Sequence, residues 1–397
     1  MKTLLPPMVG IALCAGIGSP AGQDTGGSSG RTSGTSPTGG GATGVTTSAP
    51  IGGTNNPTVG LTLGPGTREP WDQPFSSTSV WNTPIGSGAQ WSDPATDAGT
   101  AQLITVNGVI NAGNWGQPVY VAGAGDPVIT VTDTDTDEPI RPQTLHSPID
   151  AIPAPPSAAG GDHHMAWFDL TQPTNMFSYY ACSFNNGNDV TGGVTCRLGG
   201  VWDACGDGVT NGMAPGSDYN FAIGTIRHWE LQTGTIQHVL RYSDSSDLAK
   251  SPGPTWTSNI PWPNTHEDYN GPNCGAADGN GYCGSLDAGL TLGIPANVKL
   301  NSLGLSQGGM MIATALQQYG AIWRDSGGHN QITFYAEPQD DNDPLLTQAR
   351  GDMNKIVPLL RVLLNQGPNS INGGGTPLVT GPPPIDPTYC PSGNTPH

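Results

Sequence analysis

The amino-acid sequence predicts an all-β fold, an antiparallel β-sandwich or jelly roll with one or two peripheral helices. Three observations point there. β-Branched and aromatic residues recur with a period of two through most of the central chain. Gly and Pro punctuate these runs at short intervals, and only two stretches have helical spacing.

In chain order, "GQPVYVAGAGDPVITVTDTDTD" reads as two short strands around a Gly-rich turn. "HHMAWFDLTQPTNMFSYYACSF" reads as a hairpin with strands over 163–170 and 176–184. "FAIGTIRHWELQTGTIQHVLRYS" reads as strands over 222–231 and 235–243, joined near Thr233-Gly234. Helices are expected over 307–319, where Met311, Ala315, Leu316 and Tyr319 fall near helical spacing, and over 344–365, interrupted at Pro358.

The ends have a different composition. Residues 1–21 combine a positive start, a short apolar stretch and small residues, the pattern of an export signal, with Cys14 as an alternative point of lipid attachment. Residues 22–68 are rich in Gly, Ser and Thr and read as a flexible linker, because they hold too little apolar surface to offset chain entropy. A single β-rich domain is expected over 69–366, followed by a Gly/Pro-rich tail over 367–397 that Cys390 is placed to tie down. The six cysteines after Cys14 are an even set in an exported chain, which favours three intrachain disulfides; Cys274–Cys283 is the pair most readily guessed. The expected location is secreted, or lipid-anchored at the cell surface, with no transmembrane span.

Charge narrows the function. With 31 acids against 13 bases the formal net charge is −18, which argues against nucleic acid and, less strongly, against polyanionic glycans. No nucleotide-binding glycine pattern is present, so no cofactor is expected. "TDTDTDEP" offers Asp133, Asp135, Asp137 and Glu138 at alternate positions but lacks the glycine and distal Glu of a calcium loop, so it reads as a solvated strand end and no metal is expected.

Gly304-Leu305-Ser306-Gln307-Gly308 matches the G-x-S-x-G nucleophile elbow. Hairpins rather than βαβ units precede it, no oxyanion segment is present, and the triad order fails; Ser306 therefore reads as a helix N-cap. Better acid–base candidates lie elsewhere. Strand alternation puts His163 and Asp169 on one face with Trp167, a sugar-stacking surface beside titratable groups. Across the 233–234 turn, Glu230 and His228 come within reach of His238. Asp325 follows an apolar strand, and Glu337 ends another. The candidate catalytic residues are His163, Asp169, Glu230, His238 and Asp325; the candidate substrate-binding residues are Trp167, Arg241, Tyr242 and Tyr319. Each has a plain structural alternative, as a core group, strand end or turn cap.

Five segments occur in a characteristic order: "PFSSTSVWNTPI" (74–85), "GDHHMAWFDL" (161–170), "GTIQHVLRY" (234–242), "WPNTHED" (262–268) and "ALQQYGAIWRDSGG" (315–328). Together they resemble a family of secreted bacterial and fungal proteins with the pattern S-x-W-N-x-P-[IL], G-D-x-H-M, G-x-I-x-H-A-L, W-P-x-x-H and A-L-x-x-Y-G-x-x-x-x-D-x-G. Val239 stands where that pattern has Ala, and His163-His164 double a single His. The resemblance implies export and a β-rich fold; it transfers no catalytic assignment. The expected function is a carbohydrate-active enzyme that hydrolyses a neutral glycan by carboxylate and His acid–base chemistry, ten Trp supplying stacking surface. The alternatives are a non-catalytic glycan-binding or adhesive module, then a polysaccharide lyase, then a Ser306 esterase.

Overall fold

The computed structural model describes residues 66–134, 142–154, 162–209, 220–251, 253, 259–265 and 282–390. The export signal, nearly all of the linker, the acidic run after Thr134 and the Cys274–Cys283 pairing lie outside them.

The strands, in order, are β1 (Asn107–Asn111), β2 (Val119–Ala122), β3 (Val128–Asp133), β4 (Gln143–His146), β5 (Met165–Asp169), β6 (Asn175–Tyr180), β7 (Ser183–Phe184), β8 (Val194–Cys196), β9 (Leu198–Asp203), β10 (Leu240–Asp244), β11 (Ala249–Lys250), β12 (Leu286–Asp287), β13 (Thr291–Gly293), β14 (Ala321–Ser326), β15 (Gln331–Tyr335) and β16 (Arg361–Val362). The helices are α1 (Ala98–Leu103), α2 (His228–Thr233), α3 (Gln307–Gln318) and α4 (Pro344–Ile356). The largest sheet has the order β1-β15-β10-β14-β13-β16; two four-stranded sheets follow, β2-β5-β6-β9 and β4-β3-β8-β7.

The β-rich expectation holds, but the sheets are mixed rather than antiparallel. β1 runs parallel to β15, β10 to β14, β2 to β5 and β3 to β8. Short sequential hairpins are legible locally, whereas parallel partners come from distant parts of the chain and leave no local trace. The hairpin at 163–184 does form, as β5 against β6 with Trp167 opposite Phe177.

Alternation along each strand sorts side chains into layers. Leu240, Tyr242, Trp323, Ile332 and Phe334 of the six-stranded sheet share a core with Ile312, Leu316, Leu346 and Met353 of α3 and α4. Ile322, on the opposite face, joins Val119, Ala166, Phe168, Met176 and Trp202, which point inward from the β2-β5-β6-β9 sheet. The far face of that sheet, with Tyr120, Trp167, Phe177 and Tyr179, packs on Ile129, Val131 and Val194 of the third sheet.

The expected strand at 222–231 does not form. Its last residues begin helix α2, started where the Glu230 side chain reaches back to the Arg227 N–H at 2.9 Å and stopped by Gly234 at φ +69°. Alternating apolar residues here lose to a local capping interaction. α3 follows the expected bounds closely, and α4 ends at Ile356, before Pro358.

Cys182 bonds Cys196, and Cys205 bonds Cys390, 185 residues away in sequence. The stretch after 366 packs on the body: the fully buried Asn372 amide donates to the carbonyls of Val80 and Thr83. Among the described residues no helix is long and apolar enough to cross a membrane.

Ser306 caps α3, its hydroxyl accepting from the Gly309 N–H at 3.0 Å and donating to Asp352 at 2.7 Å. Ser306→Ala should therefore lower stability by about 1 kcal/mol in a denaturant titration and leave hydrolysis of ester substrates unchanged. A loss of ester hydrolysis in a folded variant would restore the elbow.

Candidate functional site

Two clusters of buried polar groups stand out, on neighbouring parts of the molecule.

The first lies where the six-stranded sheet faces the second sheet. On β10, Arg241 and Ser243 point away from the α3/α4 core. A register shift between Tyr242 and Ser243 pairs Tyr242 with Trp323 but Ser243 with Asp325, so Arg324 is the extra residue of a β-bulge. Without it, Trp323 and Asp325 would share a face. With it, Trp323 stays in the core while Asp325 joins Arg241, a typical use of a bulge to re-aim a side chain.

Asp325 lies 4.0 Å from the Arg241 guanidinium and is 21% exposed, whereas Arg241 is fully buried. The guanidinium sits 4.8 Å from the Tyr335 ring centre and 5.6 Å from that of Phe221. The Tyr335 hydroxyl pairs with Ser243 Oγ at 2.6 Å. Its pKa is raised, first by burial and then by the negative charges of Asp325 and Asp162, outweighing the help of Arg241 and Ser243. Both carboxylates therefore lie within electrostatic reach of one hydroxyl. His164 stacks on Phe221 at 3.8 Å, and burial and then Arg241 hold its pKa well below the ordinary value, so the ring is neutral.

The second cluster surrounds Arg227. Its guanidinium pairs with Glu337 and donates to the Trp71 carbonyl at 3.0 Å. Glu230, fully buried, lies 3.1 Å from His238 Nε2, while His238 Nδ1 faces the Val239 carbonyl at 2.9 Å. Acceptors at both nitrogens favour the doubly protonated ring. Burial works against that charge, but Glu230 prevails and the His238 pKa is raised. His228 Nδ1 meets Asp340 at 2.6 Å. A cleft opens beside this network, lined by Asp72, Phe75, Trp81, Ile223, Arg227 and His238 among others.

Of the residues singled out in the sequence, Glu230 and His238 do meet, though Glu230 arrives on a helix rather than a strand. Asp325 and Arg241 come together, as does Glu337 with Arg227. His163 does not share a face with Trp167: it precedes β5 at φ +51°, and its left-handed backbone breaks the alternation. Its neighbours lie nearer the cluster instead: the charge of Asp162 bears on Tyr335 and that of Arg241 on His164.

Asp169 is saturated. It accepts from the His146 backbone and Nδ1, the Thr171 backbone and hydroxyl, and the Gln172 amide. Burial pushes its pKa up, yet these donors bring it below the ordinary value. It holds a turn. Trp167, Tyr242 and Tyr319 are core residues: Trp167 donates to Ser147 Oγ, Tyr242 to the Leu290 carbonyl, and none offers a face to a sugar. Asp72, Asp162, His164 and Tyr335 were missed; only the two in "GDHHM" had a sequence signal.

Among the described residues no group of three or more His, Cys, Asp or Glu is placed to hold a metal ion. No family model, curated protein or solved structure matches the chain.

Burial raises the Asp72 pKa from 3.8 to about 7, against the pull of Arg227, and that of Asp340 to about 6, against His228. The folded state then binds more protons than the unfolded one between those limits, so stability falls as pH rises through this window. Asp72→Asn should flatten the fall in melting temperature between pH 4 and about 7; an unchanged slope would place the titration elsewhere.

Proposed function

We propose that this protein is an exported carbohydrate-active enzyme that hydrolyses a neutral glycan at the Asp162–Asp325 cluster. The observation that carries the reading is the bulge at Arg324, which turns a partly exposed carboxylate toward Arg241 and Tyr335 instead of leaving it on the core face. Glycoside hydrolysis needs two carboxyl groups flanking one bond. Asp325, on β14, and Asp162, which precedes β5, both bear on the Tyr335 hydroxyl through their charge. Arg241 beneath them supplies a fixed positive charge that offsets the repulsion of two acids on an already acidic chain. In this reading Asp325, with Arg241 behind it, is the carboxylate, and Asp162 is the proton-transferring partner.

A second reading, β-elimination, is favoured by one fact: His164 is neutral and beside Arg241, the pairing that removal of a proton next to a uronate carboxylate requires. The net charge of −18 weighs against a uronate substrate.

The test is a panel of neutral and uronate polysaccharides assayed for new reducing ends and for the absorbance of an unsaturated uronate. Hydrolysis gives reducing ends alone; elimination gives both. Asp325→Asn and Asp162→Asn should each lower turnover about 10²–10⁴-fold with the melting temperature retained. Binding without products would leave a glycan-binding module and overturn the enzyme reading.

A further inference from the structure

We infer that Arg324 is a positioning residue: its buried guanidinium, latched to Asn264 and Trp81, aims the Asp325 carboxylate. This role rests on the reading of Asp325 as the working carboxylate.

In a regular strand the ladder of backbone hydrogen bonds sets the direction of each side chain. A bulge gives that up, because its extra residue has no counterpart on the neighbouring strand. Pairing of β14 with β10 stops at Trp323 and resumes at Asp325, so β10 does not register Arg324. Two backbone bonds bracket the gap. The Trp323 N–H donates to the Leu290 carbonyl at 3.3 Å, and the Gly327 N–H donates to the Asp244 carbonyl at 2.8 Å. Between them, the side chain of Arg324 supplies the restraint that the ladder does not.

Arg324 is 5% exposed. Its Nη1 donates to Asn264 Oδ1 at 3.1 Å, and its guanidinium carbon lies 5.5 Å from the Trp81 ring centre. Both partners are themselves fixed. Asn264 donates Nδ2 to the Gly289 carbonyl at 2.9 Å, which leaves its amide oxygen for Arg324. Trp81 donates Nε1 to the Gly208 carbonyl at 3.1 Å, and its own carbonyl accepts from the Val239 N–H at 2.8 Å. Val239 immediately precedes β10, and Gly289 stands two residues before β13; these are the two strands that flank β14. The latch therefore ties the bulge to both of its neighbours.

If the bulge needed only an extra residue, a solvated side chain would serve. Burying a guanidinium is costly unless its geometry is used, and a planar group that stacks and donates at once is not replaced by lysine. Three sequence segments, "SVWN", "WPN" and "WRD", converge on it. The demand is one of precision: a displacement of about 1 Å at a catalytic group costs about 10²-fold in rate.

The experiment compares Asn264→Ala, Arg324→Met, their double variant and Arg324→Lys in the full chain. On a polysaccharide that the protein cleaves, each of the first two should lower kcat roughly 10–10²-fold and leave KM little changed. The double variant should be no slower than the slower single one, because both break the same link. Arg324→Lys, which keeps a donor for Asn264, should recover part of the loss. Carboxyl footprinting with a carbodiimide and an amine, read by mass spectrometry, needs no turnover. In Asn264→Ala, Asp325 released from Arg241 should label faster, while the exposed Asp93 labels as before. If Arg324→Met does not fold, Asn264→Ala carries the test. Variants that melt lower but keep the original kcat and the original Asp325 labelling would make Arg324 a packing residue and overturn the inference, as would additive losses in the double variant. A protein that cleaves nothing sinks the functional reading by itself, and the labelling then decides the latch alone.

Discussion

The buried pairing of Arg227 with Glu337 is the constraint around which the rest of the polar interior is arranged. A charge taken out of water must be met by an opposite charge and by enough hydrogen bonds to use its remaining donors. Arg227 meets that demand by drawing on the end of β15, through Glu337, and on the N-terminal stretch, through the Trp71 carbonyl. Its own backbone N–H is taken by Glu230, which in turn fixes His238, and Glu337 also accepts from the His228 N–H. Elements distant in sequence are thereby held in one register. The cleft is a by-product of that arrangement, because the segments gathered around Arg227 are also its walls.

The same strand region supplies the Arg241 cluster. His238 closes the Arg227 network, and three residues further on Arg241 lies between Phe221 and Tyr335. Gly224 lets the two networks approach each other. It has φ +68°, and a Cβ there would come 2.5 Å from the Arg241 backbone nitrogen. Any side chain at this position would push the 221–227 turn away from β10, separating Phe221 from Arg241 and widening the cleft together. The polar machinery is thus one assembly built on a close backbone crossing.

What the sequence made legible follows from what is local. The β5–β6 hairpin, the Ser306 cap, the α3 boundaries and the tie at Cys390 each rest on residues a few positions apart or on a single side-chain type. The Glu230–His238 contact was reached by a wrong route, since either a strand or a capped helix before the Gly234 turn brings these residues close. The parallel pairings, the bulge at Arg324 and the burial of Asp72 depend on partners far away in the chain. Alternation was the misleading rule: it fails at His163, where the backbone turns left-handed, and again at Arg324, where one extra residue flips the face. Both failures fall in the cluster proposed as the active site, as expected if local regularity gives way where side chains must be aimed.

The bond between Cys205 and Cys390 gives the molecule a covalent topology that its fold alone does not. The chain between these cysteines includes β10, β14 and β15, and so Arg241, Asp325, Tyr335 and the Arg227 network, within a single closed ring. Closing a loop of 185 residues restricts the unfolded chain by about 5 kcal/mol in the chain-entropy account. Under proteolysis the ring has a second effect. A single cut between the two cysteines opens the circle but releases no fragment, so strands β10, β14 and β15 stay tethered to one another and can re-dock. Only a reducing environment, or a second cut, turns such a nick into loss of a fragment.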